Sequence, residues 1–285
     1  MSASLGVVIV SWNVRDLLRG CLRSLQEQGG EPMRVIVVDS ASSDGSAAMV
    51  RDEFPAVELI ASAENIGYVK GNNLALRRLL SSDSTPEFLW LLNPDTIVQP
   101  AAVETLLLFM RVHPRCGLCG PQLRNPDGTL QHGAFALPGL MQLAIDVIPR
   151  LQARFRDTRW DGRYAAAQYA GRPFRVGTPL GAAMLARTAA VQAVGLLDEG
   201  FEMYSEEIDW AHRMADGGWE VWCEPRAVVT HYGGASSGQA SARAERLKWR
   251  SRARYFDKHY GPLRRAIARK MMPVADDGRP LTDDR

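Results

Sequence analysis

The chain has 285 residues, 46% hydrophobic and 23% charged, which are ordinary proportions for a folded globular protein of one or two domains. Its 34 basic and 32 acidic residues leave a net charge of +2, so composition gives no general attraction to nucleic acid. Four cysteines are too few for a disulfide scaffold, and no apolar stretch is long enough to span a membrane. The N-terminus has no signal-peptide pattern, which favours a cytoplasmic location.

The first 112 residues alternate between short apolar runs and amphipathic segments. We predict strands at 5–10, 34–38, 57–61 and 88–92, and helices at 14–28, 46–52, 68–80 and 101–112. Fully apolar strands that alternate with helices are typical of a parallel sheet covered on both faces. Ligands of such sheets bind beyond the carboxyl ends of the strands.

The second part of the chain is less regular. Residues 136–176 contain seven arginines and few strand signals, and we interpret them as a partly helical insertion or lid. After it we predict a strand at 179–186, helices at 188–194 and 206–216, strands at 219–223 and 227–230, a basic helix at 243–270 and a frayed polar tail.

Polar residues stand directly after the predicted strands. Ser11 and Asn13 follow the first strand and Asp39 ends the second, where its carboxylate can pair with a nucleobase edge or cap a turn. Asn93 and Asp95 flank a proline after the fourth strand. An amide and a carboxylate at this spacing can hold Mg²⁺ or Mn²⁺, although the same three residues also form common turns.

A third group of polar residues opens the helix that begins near residue 68. It contains Asn65, Lys70 and Asn73 beside two glycines, and a helix N-terminus favours anions. The sequence contains neither a GxGxxG nor a GxxxxGK[ST] motif. This argues against a nicotinamide-dependent oxidoreductase and against a P-loop enzyme.

Three acidic residues begin the predicted helix at 206–216. Glu206 and Asp209 share one face, whereas Glu207 points elsewhere. One of them, partly removed from water, could act as a general base for a hydroxyl. The alternative is that they only cap the helix, because acidic groups stabilise helix N-termini.

His231 and a CxxC pair are the remaining candidates. His231 follows an apolar strand and precedes two glycines, so it is either a metal ligand or a structural histidine. Cys116 and Cys119 fall in a predicted strand without a second cysteine pair, which indicates buried structural thiols rather than a zinc or redox site.

Seven segments, in this order, resemble the family-2 glycosyltransferases, in particular the bacterial rhamnosyltransferase-like branch. They are VVIVSWN (7–13), VIVVDSASSDGS (35–46), ENIGYVKGNNLAL (64–76), LLNPDTIV (91–98), CGPQLRNPDGTLQ (119–131), GAAMLARTAAVQAVGLLDEGFEMYSEEIDWAHRMADGGWEVWCEP (181–225) and VVTHYGG (228–234). The segment KWRSRARYFDKHYG (248–261) is similar to the tail of that branch. The resemblance covers residues 5–265 apart from the insertion.

The resemblance implies a GT-A fold of the α/β class. A Rossmann-like nucleotide-binding half, 1–98, would join an acceptor-binding half, 99–235, around one mostly parallel sheet, with basic helices and a tail at 236–285. It implies an inverting transfer of a sugar from a nucleoside diphosphate sugar to a hydroxyl of a glycan or a lipid-linked acceptor.

The resemblance also implies roles for individual residues. Asp95 matches the last Asp of the family's DXD motif and would hold the divalent metal, with His231 as a further ligand, while Asn93 replaces the first Asp. Glu207 matches the Asp of the ED motif and would be the base, with Glu206 and Asp209 as alternatives. The expected donor-binding residues are Ser11, Asn13, Asp39, Asn65, Lys70, Asn73, Asn93 and Asp95.

The basic helix has two interpretations. It could be a solvated face packed on the core through Trp249, Tyr255 and Phe256. It could instead dock on anionic lipid as a peripheral membrane contact, with arginines of the insertion adding to the surface, namely Arg150, Arg154, Arg156 and Arg159.

Two rival functions remain open: a nucleotide-sugar-binding module without turnover and a sugar-phosphate nucleotidyltransferase. The donor is also open among dTDP-rhamnose, UDP-sugars and GDP-sugars.

Overall fold

The computed structural model describes residues 4–30, 32–156, 158–233 and 241–273, with side chains in the last range from residue 244. The strands are β1 Leu5–Ser11, β2 Met33–Asp39, β3 Glu58–Ala61, β4 Phe88–Leu92, β5 Thr96–Val98, β6 Cys116–Arg124, β7 Leu130–Gln131, β8 Ala134–Phe135, β9 Phe174–Arg175, β10 Thr178–Pro179, β11 Ala183–Arg187 and β12 Glu220–His231. The helices are α1 Arg15–Gln26, α2 Ser46–Glu53, α3 Gly67–Leu80, α4 Ala102–Val112, α5 Leu140–Val147, α6 Pro149–Phe155, α7 Thr188–Val194, α8 Glu206–Asp216, α9 Ser241–His259 and α10 Pro262–Met271. Two short 3-10 helices lie at Arg159–Asp161 and Ala166–Ala170.

One ten-stranded sheet forms the centre of the fold. Its main path runs β3-β2-β1-β4-β11-β6-β12-β5, with β7 beside β6 and β9 beside β12. The first four strands are parallel, and β6 pairs with β12 in parallel as well. Strand β11 lies antiparallel between β4 and β6 and so joins the two halves of the sheet. The carboxyl ends of β1, β2 and β4 therefore meet at one edge.

Apolar side chains cover both faces of this sheet. Strand β1 alternates them, so that Val7 and Ile9 belong to one buried cluster and Val8 to the other. Helix α1 packs on the first face with its spaced leucines, and α3 packs on the second. Gly71 allows that close approach of α3, because a Cβ there would lie 2.9 Å from the methyl carbons of Val10. The backbone of α3 is thereby fixed next to β1.

A third apolar cluster lies beneath the C-terminal helices. Trp249, Tyr255 and Phe256 of α9 are buried there with Phe201 and, from α5, Leu143. The three predicted anchor residues of the basic helix are thus part of the core. Among the described residues, no helix is both long and apolar enough to cross a bilayer.

The predicted mixed α/β architecture with a mostly parallel sheet is confirmed. Strand 88–92 and helices 188–194 and 206–216 have the predicted bounds, and the other elements of the first 112 residues shift by one or two residues. The insertion is partly helical as predicted, with α5, α6 and both 3-10 helices. All four cysteines are free and buried, as expected for structural thiols.

Four predicted elements are wrong in detail. The strand at 179–186 is interrupted, because β10 pairs with β8 in a separate two-stranded sheet before β11 joins the main sheet. The two strands after 219 form one strand, β12, with an irregularity between Glu224 and Val228. The helix at 243–270 breaks at Gly261, because Pro262 begins α10 and cannot continue α9. The predicted frayed tail after 273 lies outside the described residues.

Candidate active site

Buried polar groups collect at the carboxyl ends of β1 and β2. Ser11 and Asp39 are register partners across the two strands, and the amide of Ser40 donates to the carbonyl oxygen of Ser11 at 2.9 Å. All three residues are at most 2% exposed. Ser11 Oγ, Asp39 Oδ1 and Ser40 Oγ have no hydrogen-bond partner among the described residues. Since buried polar atoms are normally paired, this group is suited to receive a polar ligand.

Asn13 shapes the loops around this group. Its side-chain Oδ1 accepts from the backbone amide of Ser43 at 2.7 Å, and its backbone amide donates to Ser42 Oγ at 2.9 Å. The second carboxylate oxygen of Asp39 accepts from the amide of Ser42 at 3.0 Å. The two loops are therefore tied together, and Asp39 Oδ1 is held in one direction.

Several residues in the loops of the candidate site have a strained backbone. Five non-glycine residues in the described part of the chain have positive φ, and four of them lie in loops of the candidate site. They are Asn13 (52°), Ala41 (58°), Tyr204 (66°) and Ser205 (62°). Such conformations persist only where the surrounding structure enforces them, which is common at functional sites.

The fourth strand leads to a carboxylate and an imidazole. Asp95, 6% exposed, places Oδ1 3.4 Å from Nε2 of His231 at the end of β12. The backbone amide of Asn93 donates to the carbonyl oxygen of Ala182 at 2.8 Å. The side-chain oxygen of Asn93 is buried without a partner in the described ranges.

Gln131 fixes the tautomer of His231. Its Nε2 faces the carbonyl oxygen of His231 at 3.3 Å, so its Oε1 must be the atom 2.7 Å from His231 Nδ1. Nδ1 therefore carries a hydrogen, and Nε2 is the nitrogen that faces the carboxylate of Asp95. A carboxylate oxygen and an imidazole nitrogen at this distance are suited to bind a shared cation. The outward hydrogen bond to Gln131 is also what metal-binding histidines usually make.

The glutamates at the start of α8 lie close to the end of β4. A Cβ added to Gly181 would lie 3.8 Å from Cβ of Glu207, and the hydroxyl of Tyr68 donates to the carbonyl oxygen of Gly181 at 2.9 Å. Gly181 adjoins Ala182, which holds Asn93. Glu207 is therefore linked by a few contacts to the polar edge of the sheet.

Burial raises the pKa of both glutamates. The pKa of Glu206 is raised well above its ordinary value by burial and by the charge of Glu207. Burial also raises the pKa of Glu207, while backbone hydrogen bonds and the positive charge of Arg252 oppose that effect. Oε2 of each residue is buried with no hydrogen-bond partner in the described structure. A carboxylate with a raised pKa and a free oxygen has the properties of a general base.

Glu207 lines a cavity of about 270 Å³. The walls come from α5, α6, the following 3-10 helix, β10 and α9. Its polar lining includes Gln142, Asp146, Arg156, Asp161, Arg163 and Arg252. The predicted insertion or lid thus forms much of a polar cavity that contains the candidate base.

Asp209 lies in different surroundings. Its carboxylate is fully buried and bonds to Arg213, Lys258 and His259, each at 2.8 Å. Burial alone would raise the pKa of Asp209, but hydrogen bonds from His259 and Lys258, together with Arg213, hold it well below its usual range. Asp209 is an ionised structural group between α8 and α9.

The predicted donor-binding residues in and just before α3 differ in their surroundings. Asn65 accepts from the amide of Gly67 at 3.0 Å at the helix start, and Lys70 is exposed. Asn73 is buried, donating to the carbonyl oxygen of Leu197 at 2.9 Å and accepting from its amide at 3.1 Å. Asn73 therefore ties α3 to the loop before α8.

The sequence interpretation missed four residues of the site. Gln131 and Gly181 lie within segments that resemble the family, and so does Tyr68, but none of them carries a chemical signal by type alone. Arg252 lies 45 residues beyond Glu207 in the basic helix, among many other arginines. Only the packing of α9 singles it out.

Comparison with known proteins shows similarity to glycosyltransferases. The profile of the family "Glycosyl transferase family 2" matches residues 6–168. The N-acetylglucosaminyl-diphospho-decaprenol L-rhamnosyltransferase of Mycobacterium tuberculosis is 28% identical over 248 residues, which are 85% of this chain and 80% of that protein.

Two solved structures share the fold. The mannosyltransferase PcManGT of Pyrobaculum calidifontis, in complex with GDP-Man and Mn²⁺, is 17% identical with a TM-score of 0.61, covering 94% of this chain and 68% of that one. S. aureus TarS 1-349 in complex with UDP-GlcNAc is 16% identical with a TM-score of 0.57, covering 94% and 70%.

The chain belongs to glycosyl transferase family 2, and it is a glycosyltransferase of the GT-A fold.

Proposed function

We propose that this chain transfers a sugar from a nucleoside diphosphate sugar to a hydroxyl of a lipid-linked glycan, with inversion at the anomeric carbon. The observation that carries the proposal is the Asp95–His231 pair, in which a carboxylate oxygen and an imidazole nitrogen lie 3.4 Å apart. This pair lies at the sheet edge where donor ligands of parallel sheets bind.

The donor nucleotide occupies the edge formed by β1 and β2. Asp39 Oδ1 accepts from the nucleobase, and Ser11 and Asn13 line the adjoining loop. These groups support the proposal because the carboxylate oxygen and Ser11 Oγ are buried without partners in the described residues. Asn65 and Lys70 are exposed and stay proposed donor contacts, whereas Asn73 is left out because its side chain is buried and bonded to Leu197.

Asp95 and His231 hold a divalent cation, Mg²⁺ or Mn²⁺, with Asn93 beside them. When bound, the cation neutralises the charge that grows on the leaving diphosphate. Carboxylate oxygen and imidazole nitrogen are accepted metal ligands, and one carboxylate fewer than in a full DXD motif predicts weaker metal affinity.

Glu207 is the base in this proposal. It takes the proton of the acceptor hydroxyl while that oxygen attacks the anomeric carbon from the side opposite the diphosphate. Its raised pKa and its place in the cavity support this role. Asp209 is left out because Arg213, Lys258 and His259 already engage its carboxylate, and Glu206 because its burial favours the protonated form.

The proposed donor is dTDP-rhamnose, and the proposed acceptor is an N-acetylglucosaminyl-diphospho-polyprenol. The rhamnosyl group and the acceptor follow the name of the relative in Mycobacterium tuberculosis, and the dTDP carrier follows from the family resemblance. The two solved relatives were captured with GDP-Man and UDP-GlcNAc, so these donors belong in the same test.

A lipid-linked acceptor requires access to a bilayer, and we propose a peripheral contact through α10 and the helices next to it. Leu263 and Ile267 of α10 are 74% and 39% exposed, at helical spacing i and i+4, with arginines between them. Helix α5, against which α10 packs, exposes Met141 and also lines the cavity of Glu207. Exposed apolar and basic residues together are typical of a surface that binds anionic lipid.

The test measures donor cleavage by the wild type and by Asp95→Ala. The panel contains dTDP-rhamnose, UDP-glucose, UDP-galactose, UDP-GlcNAc and GDP-mannose, each with Mn²⁺, Mg²⁺ or EDTA, with and without the diphospho-polyprenol acceptor. We expect metal-dependent release of one nucleoside diphosphate, lost in Asp95→Ala. Binding without release in any condition would favour the binding module, and metal-independent release would contradict the assigned metal site.

A further inference from the structure

Helix α9 is docked directly on the helix that carries the candidate base. Lys258 and His259 bond to the buried carboxylate of Asp209 on α8, and Ser251 Oγ donates to the carbonyl oxygen of Met203 at 2.7 Å. His212 of α8 contacts the hydroxyl of Tyr255 at 2.9 Å. Helix α9 is therefore packed on α8 as part of the candidate site and is not an independent basic helix.

Arg252 is the residue of α9 that reaches the cavity of Glu207. Its side chain is 16% exposed, and Nη2 lies 3.6 Å from Oδ2 of Asp146 on α5. Its Nε is buried without a hydrogen-bond partner in the described residues. Arg252, Asp146 and Glu207 all line the same cavity. A guanidinium is thus held next to Asp146 and lines the same cavity as the candidate base.

Glu207 needs a positive neighbour to work as a base. It must be ionised to accept a proton, yet burial disfavours the charged form. The charged and titratable groups that face it are Glu206 of its own helix, Tyr68 of α3, Tyr204 of the preceding loop and Arg252 of α9. The cavity adds Asp146, Arg156, Asp161 and Arg163 from α5 and the segment after it.

We propose that Arg252, anchored by Asp146, is a positioning residue that keeps the side chain of Glu207 ionised and directed into the cavity. This inference rests on the proposed function, in which Glu207 is the base. It assigns a role to the segment 248–261, because the C-terminal helix then completes the active site. Arg156 and Arg163 pair with or lie beside Asp161 and do not replace Arg252 in this role.

The test compares Arg252→Gln with Arg252→Lys and with the control Arg254→Gln. Arg254 lies two residues along α9 and pairs with Asp198 at 3.0 Å, away from the cavity. The measurement is kcat and kcat/KM from pH 5 to 9, with the donor cleaved in the panel and an N-acetylglucosaminyl-diphospho-prenol acceptor, together with the melting temperature.

For Arg252→Gln we expect a kcat at least tenfold lower near neutral pH, with the donor KM unchanged. The acidic limb of the pH profile should move upward by about one pH unit, because removal of the cation raises the pKa of the base. Arg252→Lys should recover most of the activity, and Arg254→Gln should match the wild type. A loss of activity with an unmoved acidic limb would overturn the inference.

Asp146→Asn keeps the inference testable if Arg252→Gln does not fold. Removal of this anchor frees the guanidinium of Arg252, so kcat should fall and the acidic limb should move to higher pH, in the same direction as for Arg252→Gln. A limb that stays in place or moves to lower pH would contradict the anchoring by Asp146. If Glu207→Gln retains the wild-type kcat, the assignment of Glu207 as the base fails, and this result is distinct from either outcome for Arg252.

Discussion

At the residue scale, two adjacent glutamates differ in what surrounds them. Glu206 is 5% exposed and its pKa is raised well above normal by burial and by the charge of Glu207. Glu207 is less buried, lines the cavity and has a cation nearby. When two carboxyl groups interact so closely, one tends to keep its proton while the other ionises. Proton retention is therefore favoured on Glu206, and ionisation is favoured on Glu207, the candidate base.

We expect Glu207→Gln to lower kcat by about 10²–10⁴-fold, the usual contribution of general base catalysis. Donor affinity, measured by calorimetry with Mn²⁺, should stay within a factor of about three, because the proposed donor-binding edge is formed by β1 and β2 and not by α8. Glu206→Gln is the matched control, since the amide has the shape of the protonated acid, and it should retain most of the activity. Loss in Glu206→Gln with retention in Glu207→Gln would reassign the base to Glu206.

At the element scale, α8 and α9 are joined through the buried carboxylate of Asp209. The imidazole of His259 and the cations Lys258 and Arg213 converge on it, and their hydrogen bonds and charges outweigh the effect of burial and lower its pKa. A group whose pKa is lowered by folding stabilises the protein above its unfolded pKa, near ~3.9, and that stabilisation is lost as the pH falls through the folded value. Docking of α9 is therefore strong at neutral pH and weakens in acid.

We expect Asp209→Asn to lower the free energy of unfolding at pH 7 by about 3–5 kcal/mol, because it leaves buried cations without their carboxylate. Urea denaturation at pH 7 and at lower pH measures the effect, and the difference from the wild type should shrink below about pH 4. Asp216→Asn on the same helix is the control. Asp216 is exposed, so its replacement should change stability by no more than about 0.5 kcal/mol. A neutral effect of Asp209→Asn would mean that α9 is held by its apolar anchors alone.

At the scale of the whole molecule, the acceptor side of the site and the proposed lipid-binding surface are built from the same helices. Helix α5 lines the cavity through Gln142 and Asp146 and contacts α10, whose exposed face carries Leu263 and Ile267. An acceptor held in a membrane could then reach the base without leaving the bilayer surface. The predicted division into halves at residue 98 and a tail after 235 stays a prediction.

We expect the wild type to float with vesicles that contain anionic lipid at low salt and to dissociate as salt is added. The double variant Leu263→Ser/Ile267→Ser should bind more weakly, since each buried leucine or isoleucine contributes about 1.5–3 kcal/mol. Leu108→Ser is the matched control, because Leu108 is 62% exposed on α4, outside the proposed surface. No flotation of the wild type at low salt, or equal flotation of the double variant, would contradict the membrane contact.

Much of the first half of the fold could be predicted from the sequence, because its determinants are local. The run FLWLL has only one stable place, a strand buried on both faces, and β4 has the predicted bounds. The acidic residues at the start of α8 and the glycines after it determine where that helix begins and ends, and these signals are also local. The polar edge followed as well, since parallel strands must end together and place Asp39 beside Ser11.

What the sequence determined by itself was the family, the order of strands and helices before the insertion, and the residue types at the strand ends. Only the tertiary structure decided which polar residues stay unpaired and which are used in packing. Asn73 and Asp39 are both buried, but Leu197 satisfies the amide of Asn73, whereas one oxygen of Asp39 is left for a ligand. Arg252 was one arginine among many until α9 docked against α8 and directed it into the cavity. Local periodicity fixes a residue's own element, but its partners come from segments far away in sequence, and those partners determine whether a charge is structural or available for chemistry.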